Sequence, residues 1–162
     1  MTLIKSSRLT LRPLVLSDAR DIKELFNQPD CLQFIGDKQI HSIADAKRYL
    51  LTGPIQSYRN NGFGLLAVTY HGQFIGVCGL LSRQGHATPD LGYSFLTHYQ
   101  GHGFAKEAAK AVLSYHQKAV VLAYTDPDNY ASMAVLKAVG FEYTNTQIVS
   151  DRETSIFQYI KR

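Results

Sequence analysis

The chain of 162 residues has the length of one ordinary domain, long enough to bury a core without metal or disulfide staples. Hydrophobic residues make up 45% of it and charged residues 19%, which excludes a disordered chain. The net charge of +4 is modest and the basic residues do not cluster, so we expect no nucleic-acid partner. We predict a single globular domain over residues 1–162.

Neither export nor metal binding is indicated. Residues 1–8 lack the apolar core of a signal peptide, and no apolar run approaches the length of a membrane span. We therefore expect a cytoplasmic protein without a membrane partner. Cys31 and Cys78 are the two cysteines, and neither has a partner at metal-ligand spacing, so we expect no metal and no disulfide.

The chain begins with a predicted strand and a short helix. Residues 8–14 alternate between polar and apolar, and Pro13, which cannot donate to a ladder, indicates an edge strand. Ser17 is a candidate N-cap for an amphipathic helix over residues 18–27. Pro29 is expected to stop this helix.

The next segment is less regular. Residues 31–40 predict a loop with a little helix. Ser42, followed three residues later by Asp45, resembles a capping box and predicts a second helix over residues 43–51. Gly53-Pro54 is expected to interrupt it.

Three antiparallel strands are predicted next. Residues 63–70 and 74–81 are apolar runs on either side of a glycine-containing turn at 71–73, which is typical of a hairpin. A second turn at 84–89 leads into a strand over residues 90–97.

The C-terminal part predicts a helix, a strand, a helix and a closing hairpin, over residues 104–117, 119–124, 130–139, 141–149 and 154–160. The fold class is therefore α+β: a mostly antiparallel sheet of about seven strands flanked by about four helices. One parallel βαβ unit is expected inside it. This order argues against a doubly wound dinucleotide-binding fold.

The turn at residues 99–105 (Y-Q-G-H-G-F-A) organises the rest of the chain. Gly101 and Gly103 lie where a strand gives way to a helix, so backbone N–H groups stay uncovered at a helix N-terminus, where an anion is favoured. The first acidic residue is Glu107, inside the helix. A flexible turn is the alternative, but the pattern favours a phosphate-bearing ligand.

Several motifs in order give the chain a family resemblance. They are R-L-T-L-R-P-L at residues 8–14, Gly92-Tyr93, Q-G-H-G-F-A at 100–105, N-Y-A-S at 129–132 and Gly140-Phe141. Together they resemble the GNAT-family N-acetyltransferases, in the branch that acetylates ribosomal-protein N-termini. The family's acetyl-CoA signature is Gln or Arg, two residues, Gly, one residue, then Gly or Ala, and Gln100, Gly103 and Ala105 fit it in register.

The resemblance implies acetyl-CoA as co-substrate. Pantetheine would lie as a pseudo-strand between the strands at 91–97 and 119–124, paired with backbone groups of Phe95, Leu96 and Thr97. The turn would bind the pyrophosphate, through Gln100, Gly101, His102, Gly103, Phe104 and Ala105. Asn129 and Ser132 would approach the cofactor from the next helix, although Asn129 is equally a helix cap and Ser132 a first-turn polar residue.

The resemblance also implies a direct attack of a neutral amine on the thioester. Asp90 is the candidate base, directly or through water, because relatives often carry Glu there; a plain turn residue is the alternative. The oxyanion donor is expected to be a backbone N–H near Phe95 or Leu96. Lys137 occupies the position assigned to the family's tyrosine acid, so Ser132, water or the product ammonium is left to protonate the thiolate.

The acceptor is expected to be a primary amine, either a protein N-terminus or a small molecule. The loops at 34–40, 84–89 and 150–153 are the candidate acceptor loops, and a monomer or homodimer is expected. The alternative function is a non-catalytic acyl-CoA-binding or sensing module of the same fold. Lys137 in place of the family's tyrosine acid is the feature that supports this alternative.

Overall fold

The computed structural model describes residues 3–162. In this part of the chain eight strands form one sheet in the order β1-β2-β3-β4-β5-β6-β8-β7. The strands are β1 Ile4–Lys5, β2 Leu9–Pro13, β3 Leu65–Tyr70, β4 Gln73–Leu81, β5 Asp90–Phe95, β6 Val120–Thr125, β7 Glu142–Val149 and β8 Arg152–Ile160. The α-helices are α1 Ala19–Phe26, α2 Pro29–Phe34, α3 Ile43–Leu50, α4 Gln56–Asn61, α5 Phe104–His116 and α6 Tyr130–Ala138.

The predicted α+β class and mostly antiparallel sheet are confirmed. Every neighbouring pair is antiparallel except β5 and β6, which are parallel and joined by α5. The strand beyond the seven predicted is β1, which pairs Ile4 with Leu11 and Lys5 with Thr10. Two residues are too few to produce a periodic signal, so the sequence pattern missed it.

Helices cover both faces of the sheet. Alternate residues of β3 enter different cores: Leu66 and Val68 pack with α5 and α6, whereas Leu65 and Ala67 pack with α1 and α3. Because both faces are buried, this strand reads in sequence as a continuous apolar run instead of an alternating one. The strand is therefore a central layer between two helical layers.

The helix predicted over residues 18–27 ends at Phe26, before Pro29, as expected, and Pro29 is the first residue of α2, where its missing N–H costs nothing. The expected interruption of the second helix at Gly53-Pro54 was wrong, because a π-helical turn over Leu51–Ile55 carries α3 into α4. The wider turn accommodates a proline that an α-helix would reject. The N-cap at Ser42 is confirmed, since its Oγ accepts the Asp45 N–H at 3.0 Å.

The parallel pair β5 and β6 is a splay. Asp90 and Leu122 are the one residue pair that they share, and the Leu122 N–H donates to the Pro89 carbonyl at 3.0 Å. Beyond this point the two strands diverge toward their C-terminal ends. A wedge consequently opens inside the sheet between β5 and β6.

Candidate functional site

A cleft of about 710 Å³ occupies this wedge. It is lined by β5, the glycine turn, the end of β6, the start of α6, α2 and the β7–β8 hairpin. Most of the residues predicted for the site lie along it: Asp90, Phe95, Gln100, Gly101, Gly103, Phe104, Ala105, Asn129 and Ser132. Leu96, Thr97, His102 and Lys137 are not among the lining residues.

The register of β5 decides which backbone groups face the cleft. The Leu96 N–H donates to the Ile75 carbonyl at 2.9 Å, and Phe95 lies opposite Gly76 in the antiparallel ladder. Hydrogen-bonded and outward-facing residues alternate along such a strand. The backbone groups of Tyr93 and Phe95 therefore point away from β4 and toward the splay.

Leu96 and Thr97, which were predicted to offer backbone groups to the cofactor, lie beyond the end of the strand. The strand ends at Phe95, and Thr97–Tyr99 forms a 3₁₀ turn. The Leu96 carbonyl accepts the Tyr99 N–H at 2.8 Å, and the Thr97 N–H donates to Gln28 Oε1 at 2.7 Å. These groups are occupied within the protein, which leaves Tyr93 and Phe95 as the strand residues directed at the gap.

The side chain of Gln100 braces the end of β5. Its Nε2 donates to the Phe95 carbonyl at 2.9 Å and to Asp30 Oδ2 at 2.8 Å. Gln28 Nε2 donates to the same carbonyl at 3.2 Å. The first residue of the signature thus holds the turn against β5 and α2, while the backbone that follows it lines the cleft.

The glycine turn has the predicted strand-to-helix geometry. Gly101 and Gly103 both have φ of +80°, a left-handed conformation that other residues adopt at a cost. Helix α5 begins at Phe104, immediately after the second glycine. Its first N–H groups have no partner within the helix, so this end of the cleft favours an anion.

Asn129 and Ser132 meet at the start of α6. Asn129 Oδ1 accepts the Ser132 N–H at 3.2 Å, so the capping role of Asn129 is confirmed. Ser132 Oγ lies 2.9 Å from the hydroxyl of Tyr93, which also donates to the Ser132 carbonyl at 2.9 Å. Burial raises the pKa of Tyr93 above its usual range, which keeps the phenol protonated.

Tyr93 is a cleft residue that the sequence reasoning did not single out. Its signal was the Gly92-Tyr93 pair, which had entered only as part of the family resemblance. Lys137, by contrast, is solvent-exposed outside the cleft, and the neighbouring Leu136 lines it instead, 1% exposed. The helical register therefore brings an apolar side chain, not an ionisable one, to this wall.

Asp90 lies at the closed end of the splay, 2% exposed. Arg83 approaches it, with Nε 3.1 Å from Oδ1, and the same guanidinium lies 4.3 Å from the centre of the Tyr124 ring. Burial raises the pKa of Asp90, while Arg83 opposes the shift by favouring the charged form. Arg83 and Tyr124 were not predicted, because their contact with Asp90 joins separate elements.

The described residues contain no metal cluster. Within residues 3–162, no group of three or more His, Cys, Asp or Glu side chains is arranged to hold a metal. Cys31 and Cys78 are buried free thiols. None of the helices in this range is long and apolar enough to cross a membrane.

Comparison with known proteins gives the family. The Acetyltransferase (GNAT) domain family matches residues 8–142. The uncharacterized N-acetyltransferase p20 of Bacillus licheniformis is 24% identical over 149 residues, which are 88% of this chain and 83% of p20. The match therefore spans most of both proteins.

Solved structures share the fold. An acetyltransferase of Salmonella typhimurium that modifies the N-terminal serine of ribosomal protein L7/L12 has a TM-score of 0.85 at 15% identity, covering 99% of this chain and 100% of that one. MccE, the microcin C7 self-immunity acetyltransferase solved with acetyl-CoA and AMP, has a TM-score of 0.82 at 18% identity, covering 96% and 94%. The chain belongs to the GNAT acetyltransferase family and is an N-acetyltransferase.

Proposed function

We propose that the protein transfers the acetyl group of acetyl-CoA to a primary amine by direct attack of the amine on the thioester. The observation that carries this proposal is the splay between β5 and β6, whose one shared pair is Asp90 with Leu122. The gap-facing backbone of Tyr93 is suited to pair with an amide of pantetheine as a strand would, whereas the Phe95 carbonyl already accepts from Gln28 and Gln100 and only its N–H is left to face the gap. The cofactor would then supply the missing pairing within the sheet.

The glycine turn supports the placement of the pyrophosphate. Gly101, Gly103, Phe104 and Ala105 line the cleft at the N-terminus of α5, a helix of 13 residues. Backbone N–H groups at such a helix end attract phosphate through hydrogen bonds and the helix dipole. The reactive thioester would accordingly extend from this turn along β5.

The catalytic roles follow from the cleft chemistry. The amine nitrogen bonds to the thioester carbon to form a tetrahedral oxyanion, Asp90 accepts the amine proton directly or through water, and collapse of the oxyanion then breaks the C–S bond. The Phe95 N–H, directed at the gap, is the proposed donor to the tetrahedral oxyanion. The Ser132 hydroxyl gives its proton to the departing thiolate and takes a proton from water in the same step, and Tyr93 supports it by a hydrogen bond at 2.9 Å.

The proposed acceptor is a protein N-terminus or a small primary amine in a cytoplasmic setting. The Salmonella structural neighbour acts on the N-terminal serine of a ribosomal protein, which supports the first class. The lining of the cleft carries both charges, from Arg83 and Arg152 and from Asp126 and Glu153. This balance does not favour a polycationic acceptor.

One observation favours a second candidate function, a non-catalytic acyl-CoA-binding module. Leu136 lines the α6 wall and has no proton to donate. A module of this kind would keep the splay and the glycine turn and would bind acetyl-CoA without turnover. The two functions differ in whether amine-dependent release of CoA thiol occurs.

The test is calorimetric titration with acetyl-CoA and CoA, followed by thiol-release assays against amines and N-terminal peptides. We expect binding and amine-dependent release. Gly103→Val should weaken CoA binding sharply, because the left-handed backbone at φ +80° disfavours valine and a side chain would obstruct the turn. Unchanged CoA affinity in this variant would remove the pyrophosphate from the turn, and binding without release would favour the module.

A further inference from the structure

Arg8, which precedes β2, reaches the outer side of the glycine turn. Its Nη1 donates to the His102 carbonyl at 3.0 Å, and its guanidinium carbon lies 4.5 Å from the centre of the Phe104 ring. The contact joins residues 94 positions apart in the chain. A cation from the N-terminal segment therefore touches the turn at the residue between its two glycines.

Glu107 holds this guanidinium in place. Its Oε1 accepts from Arg8 Nε at 2.7 Å, and its Oε2 accepts from the Arg8 backbone N–H at 2.8 Å and from Ser6 Oγ at 2.5 Å. Burial alone would raise the pKa of Glu107, but the hydrogen bonds from Ser6 and Arg8 lower it, so the carboxylate stays charged. The guanidinium is thus fixed by a carboxylate, an aromatic ring and a carbonyl.

This contact fixes the orientation of one peptide group. In a planar trans peptide, the C=O of His102 and the N–H of Gly103 point in opposite directions. Because Arg8 binds that carbonyl, the Gly103 N–H points away from Arg8. His102 is not among the cleft-lining residues, whereas Gly103 is, so the free N–H belongs to the part of the turn that lines the cleft.

The left-handed backbone at φ +80° accounts for the second glycine, and Arg8 lies beside it, since a Cβ at Gly103 would be in van der Waals contact with Arg8 Nη2 at 3.4 Å. We propose that Arg8 is a positioning residue for the pyrophosphate site, holding the His102–Gly103 peptide with its N–H toward the anion. The inference rests on the proposed function, because it assumes that CoA binds at this turn.

The test compares ligands with and without the pyrophosphate. In Arg8→Met we expect the affinity for CoA and for dephospho-CoA, measured by calorimetry, to fall about tenfold, equivalent to one well-oriented hydrogen bond to a charged group. The kcat/KM for acetyl-CoA should fall with it. The kcat/KM for acetyl-pantetheine, which has no pyrophosphate, should stay within about twofold of wild type, since the reacting end is unchanged.

Arg12→Met is the matched control. Arg12 lies on β2 and pairs with Asp18, with Nη2 2.8 Å from Oδ1, away from the turn. This variant should be less stable but should keep the wild-type ratio of acetyl-CoA to acetyl-pantetheine activity. Arg8→Lys keeps the charge without the planar fork, so we expect it to recover less than half of the lost CoA affinity.

Each contrary result has a distinct meaning. Equal losses for acetyl-CoA and acetyl-pantetheine, or no loss at all, would overturn the positioning role. A loss for CoA but not for dephospho-CoA would also overturn it, because Arg8 would then contact the 3′-phosphate itself. Full recovery of the CoA affinity in Arg8→Lys would also contradict the proposal, because the positive charge alone, without the oriented guanidinium, would then account for the effect. Failure of the wild-type protein to bind CoA would instead refute the proposed function.

Discussion

Two buried aspartates, each beside one arginine, behave in opposite ways. Asp18 is 4% exposed and Asp90 is 2% exposed. The pKa of Asp18 lies below its usual value: burial would raise it, but hydrogen bonds from Arg12 and Val15 and the charge of Arg12 outweigh burial. The pKa of Asp90 is raised, because burial outweighs the influence of Arg83.

The carboxylates of Asp18 and Asp90 differ in the number and geometry of their hydrogen-bond donors. Asp18 accepts from both terminal nitrogens of Arg12, at 2.9 and 2.8 Å, and from the Val15 N–H at 2.9 Å. Arg83 gives Asp90 one side-chain hydrogen bond, from Nε at 3.1 Å. A carboxylate with several donors is held as an anion, whereas one with few donors in an apolar setting accepts a proton more readily. The environment of Asp18 therefore suits a structural ion pair, and that of Asp90 suits a base.

The largest expected effect is on catalysis. Asp90→Asn should lower kcat in the thiol-release assay by about 10²–10³-fold, because the amide cannot accept the amine proton. The affinity for acetyl-CoA, measured by titration, should change by less than about threefold. Asp18→Asn is the control and should keep the wild-type kcat per folded molecule. A fully active Asp90→Asn would remove Asp90 from the mechanism.

The next effect is on stability. Asp18→Asn should lower the free energy of unfolding at pH 7 by about 2 kcal/mol, less than for a fully buried pair because the Arg12 side chain is 33% exposed. Since the folded-state pKa of Asp18 is lowered, its stabilisation is present above the ordinary value of 3.8 and is lost as the pH falls through the folded value. Urea unfolding of both proteins from pH 7 downward measures this difference.

Asp90→Asn provides the contrast in the same experiment. A raised folded-state pKa means that the stabilising form is the protonated one, complete below 3.8 and lost as the pH rises through the folded value. At pH 7 we therefore expect no destabilisation comparable with that of Asp18→Asn. A similar loss in both variants would contradict the distinction between the two aspartates.

A smaller effect concerns the pH dependence of the rate. The acid limb of kcat/KM should report Asp90, because the base must be ionised before it can act. Arg83 lowers the pKa of Asp90, so Arg83→Met should move this limb to higher pH. A pH profile of wild type and variant tests the shift; an unmoved limb would mean that another group titrates.

The smallest expected effect is that of Tyr93→Phe. This change removes the hydroxyl 2.9 Å from Ser132 Oγ but keeps the ring that packs beside α6. We expect kcat to fall about threefold to tenfold, the value of one supporting hydrogen bond. Ser132→Ala should reduce kcat at least as much, and the double variant should show non-additivity if the two hydroxyls act as a pair.

The sequence predicted the fold well wherever a pattern was long. The strands of the closing hairpin and helix α5 were expected within a residue or two of their observed ends, because periodicity and glycine turns mark them. The exceptions are short or depend on the tertiary structure. β1 has two residues, and Pro54 lies inside a π-helical turn although a proline locally predicts the end of a helix.

The site was predicted in part. Asp90, Gln100 and Ser132 line one cleft, although they are up to 42 residues apart in the chain, because each begins an element or lies next to the splay. Leu96 and Thr97 do not line the cleft, because the strand ends two residues earlier than expected. Arg8 was missed because its contact with His102 leaves no local pattern in one sequence.

The single pair that joins β5 to β6 also concerns the lifetime of the protein. On one side of the splay lie five strands and on the other three, and the contacts across it include the Asp90–Leu122 pair, helix α5 and the Tyr93–Ser132 hydrogen bonds. A ligand in the wedge would stabilise the native state, by about 2.7 kcal/mol at a concentration of 100 times Kd. If acetyl-CoA is that ligand, the resistance of the protein to proteolysis would rise with the acetyl-CoA concentration. A low acetyl-CoA concentration would then shorten the lifetime of the protein.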